Sequence, residues 1–470
     1  MTDYELVIGI ETHVQLGTRT KLFCSCPLGF GVQPNTQVCP VCLGHPGTLP
    51  VLNKAAFELG LRAGLALNCQ IAPVTKFDRK HYFYPDLPKN YQISQSDMPF
   101  STEGFVELEG GRKIGIFRAH LEEDAGKLIH EEKGNRSFVD LNRAGTPLCE
   151  IVTKPDIRSS DEAYLYMTTL RMILRYAGVS ECDLEKGEMR CDINLSIRVR
   201  GTEKLGTKVE IKNLNSFKNA KAAIEYEYGR QVRAVEASEP IMEETRLWDV
   251  ELGTTRVMRT KEQAHDYRFF PEPDLPPVEV SEDWIKRLKD QLPEFPAQKR
   301  TRLVRDYGLS EYDAKVLSGD PAVADYFEKT TKLVGDPKVT ANWVVNELGH
   351  IMNDLKIEIG ALKITPESLS KVILLVGEGH FTTTVAKNLL IGMAKTGKTD
   401  FDSHDLSKIS DLESLEKSAK LVIVANPKAA ADFLGGKDAA IKSLIGAIMK
   451  ETRGRADPKL AEATLRRLLV

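Results

Sequence analysis

The sequence predicts an α+β fold for residues 1–293, followed by two helical regions at 294–405 and 406–470. Three observations predict it. Segments of period two and segments of helical period are interspersed up to about residue 290, without the regular strand–helix alternation of a doubly wound sheet. The stretch Phe270-Pro271-Glu272-Pro273-Asp274-Leu275-Pro276-Pro277 is too rich in proline for a helix interior or a central strand. Beyond Leu292-Pro293-Glu294-Phe295-Pro296 the apolar spacing is almost entirely helical, and a shift of composition at 400–411 marks a small end domain. A chain of 470 residues is too long for one compact core, which fits this division.

Taken in order, 6–16 is the first strand, and alternation places Glu11, His13 and Gln15 on one face. A second strand, 113–120, runs into Leu121-Glu122-Glu123-Asp124. A third, 137–142, passes through Arg143-Ala144-Gly145-Thr146-Pro147 into Leu148-Cys149-Glu150-Ile151-Val152. Ser159 and Glu162 form a capping box for a helix that reaches Gly178. The segment 189–199 alternates again, with Arg190, Asp192, Asn194, Ser196 and Arg198 on one face and Cys191, Ile193, Leu195, Ile197 and Val199 on the other. Helices are expected at 297–307, 311–318, 321–333 and 340–355.

Bulk properties exclude several classes. Apolar residues make up 42% and charged residues 28%, as in an ordinary soluble protein. No apolar run approaches the roughly 20 residues of a membrane helix. The opening MTDYELVIGIE is acidic at position 3 and does not read as a targeting segment, so a cytoplasmic protein is expected. The net charge of −3 gives no sign of nucleic-acid binding, and any such contact must come from local patches. One lies at 450–470, where Lys450, Arg453, Arg455, Lys459, Arg466 and Arg467 face only Glu451, Asp457 and Glu462. It suits an RNA backbone or a solvated helix face.

Cys24, Cys26, Cys39 and Cys42 form two close pairs around a loop in which Pro40 and Gly44 supply turns. Four thiolates so spaced suit a closed, structural zinc site, with reduced thiols as the alternative. The scattered Cys69, Cys149, Cys182 and Cys191 read as buried apolar thiols. Glu11, His13, Glu122, Glu123, Asp124, Glu150 and Asp192 recur near strand ends. Carboxylates with one imidazole suit magnesium carrying ATP phosphates, although spacing does not show that they converge. Arg79-Lys80-His81 beside Tyr82-Phe83-Tyr84 suits a phosphate, a carboxylate or a base, or an ordinary packed turn. Lys208, Lys212, Asn213, Asn215 and Ser216 precede a helix and read as an anion site or a helix cap. Residues 392–399 match GxxxxGK[ST], but their context is the end of a helix and not a strand-to-helix loop, so a P-loop is rejected.

The segments VIGIETHV (7–14), VCPVCLG (38–44), FDRK (77–80), YFYPDLP (82–88), HLEEDAGK (120–127), DLNRAG (140–145), PLCEIV (147–152), MRCD (189–192), IKNLNSF (211–217) and HDYRFFPEPD (265–274) together resemble the GatB family, the B subunits of the aspartyl/glutamyl-tRNA amidotransferases, over the whole chain. The resemblance implies a glutamine-synthetase-like cradle domain that uses ATP to phosphorylate the side-chain carboxylate of Glu or Asp esterified to tRNA, for attack by ammonia. It implies magnesium at Glu11, His13, Glu123 and Glu150, Lys80 near the mouth of an ammonia tunnel, and zinc at the four clustered cysteines. Arg79, Asp192, Lys208 and Lys212 are the expected ATP-binding residues. No amidase serine–lysine signature is present, so ammonia is expected from an amidase partner, the A subunit of such complexes, with the small C subunit bracing the pair. The helical regions are expected to hold the outer body of the misacylated tRNA. Three positions depart from the family pattern: Cys149, His81 and Asn90 stand where an aliphatic residue, asparagine and glycine are usual.

Overall fold

The computed structural model describes residues 3–131, 135–260, 267–399, 412–452 and 454–469. The start of HDYRFFPEPD, the whole composition shift at 400–411, and Arg453 lie outside the described residues. The chain forms two compact units, Met1–Phe295 and Pro296–Val470.

In the first unit the strands are β1 (Tyr4–Gln15), β2 (Gln70–Ile71), β3 (Val74–Thr75), β4 (Asp78–His81), β5 (Tyr91–Ser94), β6 (Ser101–Glu107), β7 (Lys113–Glu123) and β8 (Lys127–His130). They continue as β9 (Ser137–Asp140), β10 (Pro147–Thr153), β11 (Met189–Val199), β12 (Val209–Lys212), β13 (Glu244–Asp249), β14 (Thr254–Thr260), β15 (Phe270–Pro271) and β16 (Val278–Glu279). Nine of them make one sheet, in the order β14-β13-β12-β11-β1-β10-β7-β6-β2. Every pairing in it is antiparallel except β12 with β13. That exception is the one place where a helix, α3 (Phe217–Glu236), bridges two neighbouring strands of the sheet in parallel.

Helices α1 (Lys54–Ala66), α2 (Ser160–Tyr176) and α3 pack with one face of this sheet into a single apolar core. β1 shows why. Ile8, Ile10, Thr12 and Val14 are buried, while Gly9, Glu11, His13 and Gln15 alternate with them on the opposite face. The capping box opens α2 with a difference: Ser159 Oγ accepts from Glu162 N at 3.0 Å, but the Glu162 carboxylate accepts from Arg158 N at 2.6 Å, one residue earlier than expected. The unit closes with α4 (Glu282–Asp290).

The second unit is helical: α5 (Pro296–Tyr307), α6 (Glu311–Leu317), α7 (Pro321–Val334), α8 (Pro337–Asn342), a π-turn at Trp343–Leu348, α9 (Gly349–Leu355), α10 (Pro366–Gly377), α11 (Thr383–Thr396), α12 (Leu412–Ala425), α13 (Pro427–Leu434), α14 (Ile441–Glu451) and α15 (Pro458–Leu469). It holds two separate apolar clusters, one from Leu303 to Ala394 and one from Leu415 to Leu469. The architecture is therefore a mixed fold with one large sheet, continued by a helical region.

Candidate active site

Strand register builds the site. In the sheet His120 of β7 lies opposite Glu150 of β10, Glu150 lies opposite His13 of β1, and His13 lies opposite Arg190 of β11. All four stand on the face away from the helices, because each alternates with a core residue on its own strand. Glu122, two residues beyond His120, shares that face. His13 Nε2 lies 3.3 Å from Glu122 and 3.5 Å from Glu150, and His120 Nε2 lies 3.3 Å from Glu150 and 3.7 Å from Glu122. Two carboxylates are thus bridged by two imidazoles. Lys80 of β4 brings its ammonium 4.0 Å from Glu122 and 5.1 Å from the ring centre of Tyr267.

The charges hold one another. Burial alone would neutralise the His13 ring, but hydrogen bonds to Glu122 and Glu150 outweigh it and raise its pKa to about 10. Burial opposes the ionised forms of Glu122 and Glu150 too. Lys80 and the two histidines overcome this for Glu122, as His120 and His13 do for Glu150, so both carboxyls are held below their usual range. Burial also works against the Lys80 charge, and the nearby Glu122 and Glu150 reverse the balance.

A second polar row lies one register step away. Glu11 accepts from Asn194 Nδ2 at 2.8 Å, and burial, then the Glu150 charge, push its carboxyl above the usual range. Asp192 forms a close ion pair with Lys212, which also lies 3.0 Å from Glu210.

Not every expected residue joins. Glu123 falls on the other face of β7, where its carboxylate accepts from Ile93 N at 2.8 Å and pairs closely with Lys89. Arg79 is tied to Glu272 by two hydrogen bonds of 2.7 and 2.9 Å and covers the ring of Tyr91. Lys208 is exposed. Ser216 caps α3 through Asn219 N, and Asn213 bonds the carbonyl of Trp248, so part of that polar cluster is a helix entry. Conversely, His120 belongs to no ligand set expected from the sequence, and Glu122, one of the acids noted near strand ends, lies outside the set that the resemblance implies. Carrying the alternation of 113–120 three residues further pairs them and sends Glu123 to the other side. The three departures are accommodated: Cys149 is fully buried behind Glu150, His81 bonds the Arg268 carbonyl at 3.2 Å, and Asn90 takes a left-handed φ of 64° that glycine also favours.

Two groups of the described residues have the donor chemistry to hold a metal ion. His13, Glu122 and Glu150 offer one nitrogen and two carboxylate oxygens within 4.8 Å of one another, a set that suits a hard divalent cation. The sulfurs of Cys24, Cys26, Cys39 and Cys42 gather within the same distance. A hydrogen bond from Cys24 lowers the Cys42 thiol to about 4 despite its burial, with Lys21 Nζ 3.5 Å away. An all-sulfur set of this kind suits zinc. Beside it, Lys21, Lys89, Arg79, Glu123, Cys24 and Cys42 are among the residues lining a cavity of about 120 Å³. In the helical unit, residues 392–399 contain no phosphate loop: Gly397 ends α11 with φ 75° and donates to the Met393 carbonyl at 2.8 Å. Among the described residues no helix is long and apolar enough to cross a membrane.

Comparison with known proteins assigns the family. The GatB/GatE catalytic domain model matches residues 6–286, and the GatB domain model matches residues 325–469. The chain is 48% identical to the B subunit of the aspartyl/glutamyl-tRNA(Asn/Gln) amidotransferase of Carboxydothermus hydrogenoformans, covering 99% of each. The same protein from Thermodesulfovibrio yellowstonii is 50% identical, again over 99% of both chains. That of Persephonella marina is 48% identical, covering 99% of this chain and 100% of the relative. The chain belongs to the GatB family, the B subunits of the aspartyl/glutamyl-tRNA(Asn/Gln) amidotransferases.

Proposed function

We propose that this chain carries the ATP-dependent transamidation site of a glutamine-dependent carbon–nitrogen ligase acting on misacylated Glu-tRNA(Gln), Asp-tRNA(Asn) or both. The observation that carries the reading is the convergence of His13, Glu122 and Glu150, with Lys80 beside them, on the polar face of the large sheet. A carboxylate is a poor acyl donor until one of its oxygens becomes a leaving group. In the proposed reaction that oxygen attacks the γ-phosphorus of ATP and ADP departs. Ammonia then attacks the carbonyl carbon of the acyl phosphate, phosphate leaves, a proton is lost, and the amide remains.

Magnesium at His13, Glu122 and Glu150 would neutralise phosphate charge there. Glu122 takes the place that the resemblance gave to Glu123, and Glu11 stands next to the set as a further acidic neighbour. Lys80 lies where a cation can face the incoming phosphate or the ammonia path. Lys212 and Asp192, one row away, are the better candidates for ATP contacts. Arg79, on β4 in a separate small sheet, and the exposed Lys208 are the weaker ones.

The domain scheme remains part of the proposal: a glutamine-synthetase-like cradle at 1–293, a helical domain at 294–405 and a tRNA-binding tail at 406–470. So do structural zinc at the four cysteines, ammonia supplied by the amidase partner, the bracing role of the small C subunit, and action in the cytoplasm.

The test is ATP-dependent amidation of aminoacyl-tRNA by the complex purified with its partners, ammonium chloride replacing glutamine, for wild type and Glu150→Gln. Turnover by wild type alone, with glutaminase activity and tRNA binding kept in both, supports the reading. Equal turnover by the variant overturns it.

A further inference from the structure

His120 lies inside the cluster but outside the group of three that can share an ion. Its side chain is 2% exposed against 23% for His13, so it stands behind the ligand atoms. Its two nitrogens differ sharply. Nε2 lies 3.3 Å from Glu150 Oε2 and 3.7 Å from Glu122 Oε2, whereas Nδ1 is buried without a hydrogen-bond partner. A hydrogen on Nδ1 alone would be stranded there and would give the two carboxylates no donor from this ring, so Nε2 is the nitrogen that must carry one.

The position follows from the sheet. His120 is the register partner of Glu150 on the neighbouring strand, and Glu122 follows it by two residues on its own strand. One ring therefore touches a carboxylate from each strand. Two carboxylates held this close repel, and each can relieve the repulsion by turning away unless a donor fixes it. Metal-ligating carboxylates are fixed in this manner by partners outside the ligand set.

We propose that His120 is the positioning residue of the site: its Nε2–H holds Glu150 and Glu122 at the separation at which they and His13 receive a divalent cation. The inference rests on the metal reading given above and assigns His120 no contact with the ion. It predicts that what matters at position 120 is a donor at the Nε2 location, not aromaticity or charge.

Two amide variants separate these properties. In His120→Gln the side-chain amide places an N–H near the former Nε2; in His120→Asn it falls near the former Nδ1, short of both carboxylates. The assembled complex is titrated with Mn²⁺, with binding followed by loss of the free-ion electron paramagnetic resonance signal. The Asn variant should bind Mn²⁺ about 10–100-fold more weakly than wild type. The Gln variant should remain within about threefold of wild type, well inside that outer-shell range. In ammonium-dependent turnover, the Asn variant should need more metal for half-maximal rate while approaching the wild-type rate at saturation.

The proposal is overturned if the Asn variant binds as wild type does, or if the Gln variant falls with it. Glu150→Gln in the same titration keeps the two readings apart. If it also binds like wild type, the metal reading itself is wrong. If it loses Mn²⁺ while His120→Asn does not, only the role of His120 is wrong.

Discussion

Glu122 and Glu123 are neighbours in sequence and serve opposite sides of one strand. The carboxylate of Glu122 meets His13, His120 and Lys80, and that of Glu123 meets Lys89 and the amide of Ile93. The pleat of β7 keeps the two acids from acting together, although they look interchangeable on paper.

The two acids should therefore respond differently to the same change. Glu122→Gln should weaken Mn²⁺ binding by more than about 100-fold, beyond the range of outer-shell substitutions. Glu123→Gln should leave Mn²⁺ affinity unchanged but destabilise the fold by about 1–3 kcal/mol, because Lys89 keeps a weaker partner in a largely enclosed place. Mn²⁺ titration and urea unfolding of both variants decide it. Matching metal affinities would refute the separation.

His13 gives the site a pH signature. Its pKa is about 10 in the folded chain against an ordinary value of 6.5, since Glu122 and Glu150 outweigh the effect of burial. A raised pKa stabilises the fold fully below the unfolded value, and that share is lost as pH climbs from 6.5 towards 10. In chelator-treated protein the melting temperature should fall across this window more steeply for wild type than for His13→Gln. Mn²⁺ affinity should rise over the same window, because the ion competes with the proton. Parallel melting curves for the two proteins would count against the ion-paired histidine.

The cysteine cluster should hold one zinc ion per chain after purification under reducing conditions. Lys21 is fully buried and lies 3.5 Å from Cys42 Sγ, so it offsets part of the negative charge of four thiolates. Lys21→Met should lower zinc affinity, and Cys42→Ser should lower it further, each with a drop in melting temperature. Metal analysis by plasma mass spectrometry measures the content. Wild type without zinc would leave these thiols a reduced cluster.

In the tail, cations that look alike in sequence are not alike in structure. Arg466 is bound to Asp438 at 2.7 Å and to Glu462 at 2.8 Å, whereas Lys450 and Lys459 are exposed. If this surface holds RNA, Lys450→Ala and Lys459→Ala should each reduce the slope of log affinity against log salt by about 0.7–0.9. Arg466→Ala should instead loosen α15. Filter binding of tRNA across a salt series distinguishes them, and unchanged slopes in both lysine variants would remove the tail from the interface.

Much of this was legible in the chain. Alternation located β1 and β11 to within two residues at each end, and helical spacing found α5, α6 and α7 nearly to the residue. Gly397 was recognisable as a helix end, because the residues before it have helical spacing that stops at a glycine. Sheet order was not legible. That β1 sits between β10 and β11, strands more than 130 residues away, depends on pairing that no local pattern encodes. For the same reason His13, Glu122 and Glu150 could be named among the acids and histidines near strand ends, while their neighbour His120 was missed and Glu122 could not be told from Glu123. A match of motifs picks residues one at a time, whereas the ligand set is chosen by which side chains the pleat turns the same way. Arg79 failed differently: its charge was visible, but its cancellation by Glu272, almost 200 residues later, was not.

The backs of the site strands carry Cys149, Ile151, Leu121, Thr12 and Val14, all fully buried. Had β10 paired one residue out of step, Glu150 would enter that apolar interior and Cys149 or Ile151 would surface among the histidines. An unpaired carboxylate in such surroundings costs several kcal/mol, so the misaligned chain would be unstable as well as inactive. The interior thus works as a gauge of alignment. A molecule that passes it and stays folded has, by that fact alone, its reactive groups in line, and inactive look-alikes are sent to unfolding before they can occupy a partner.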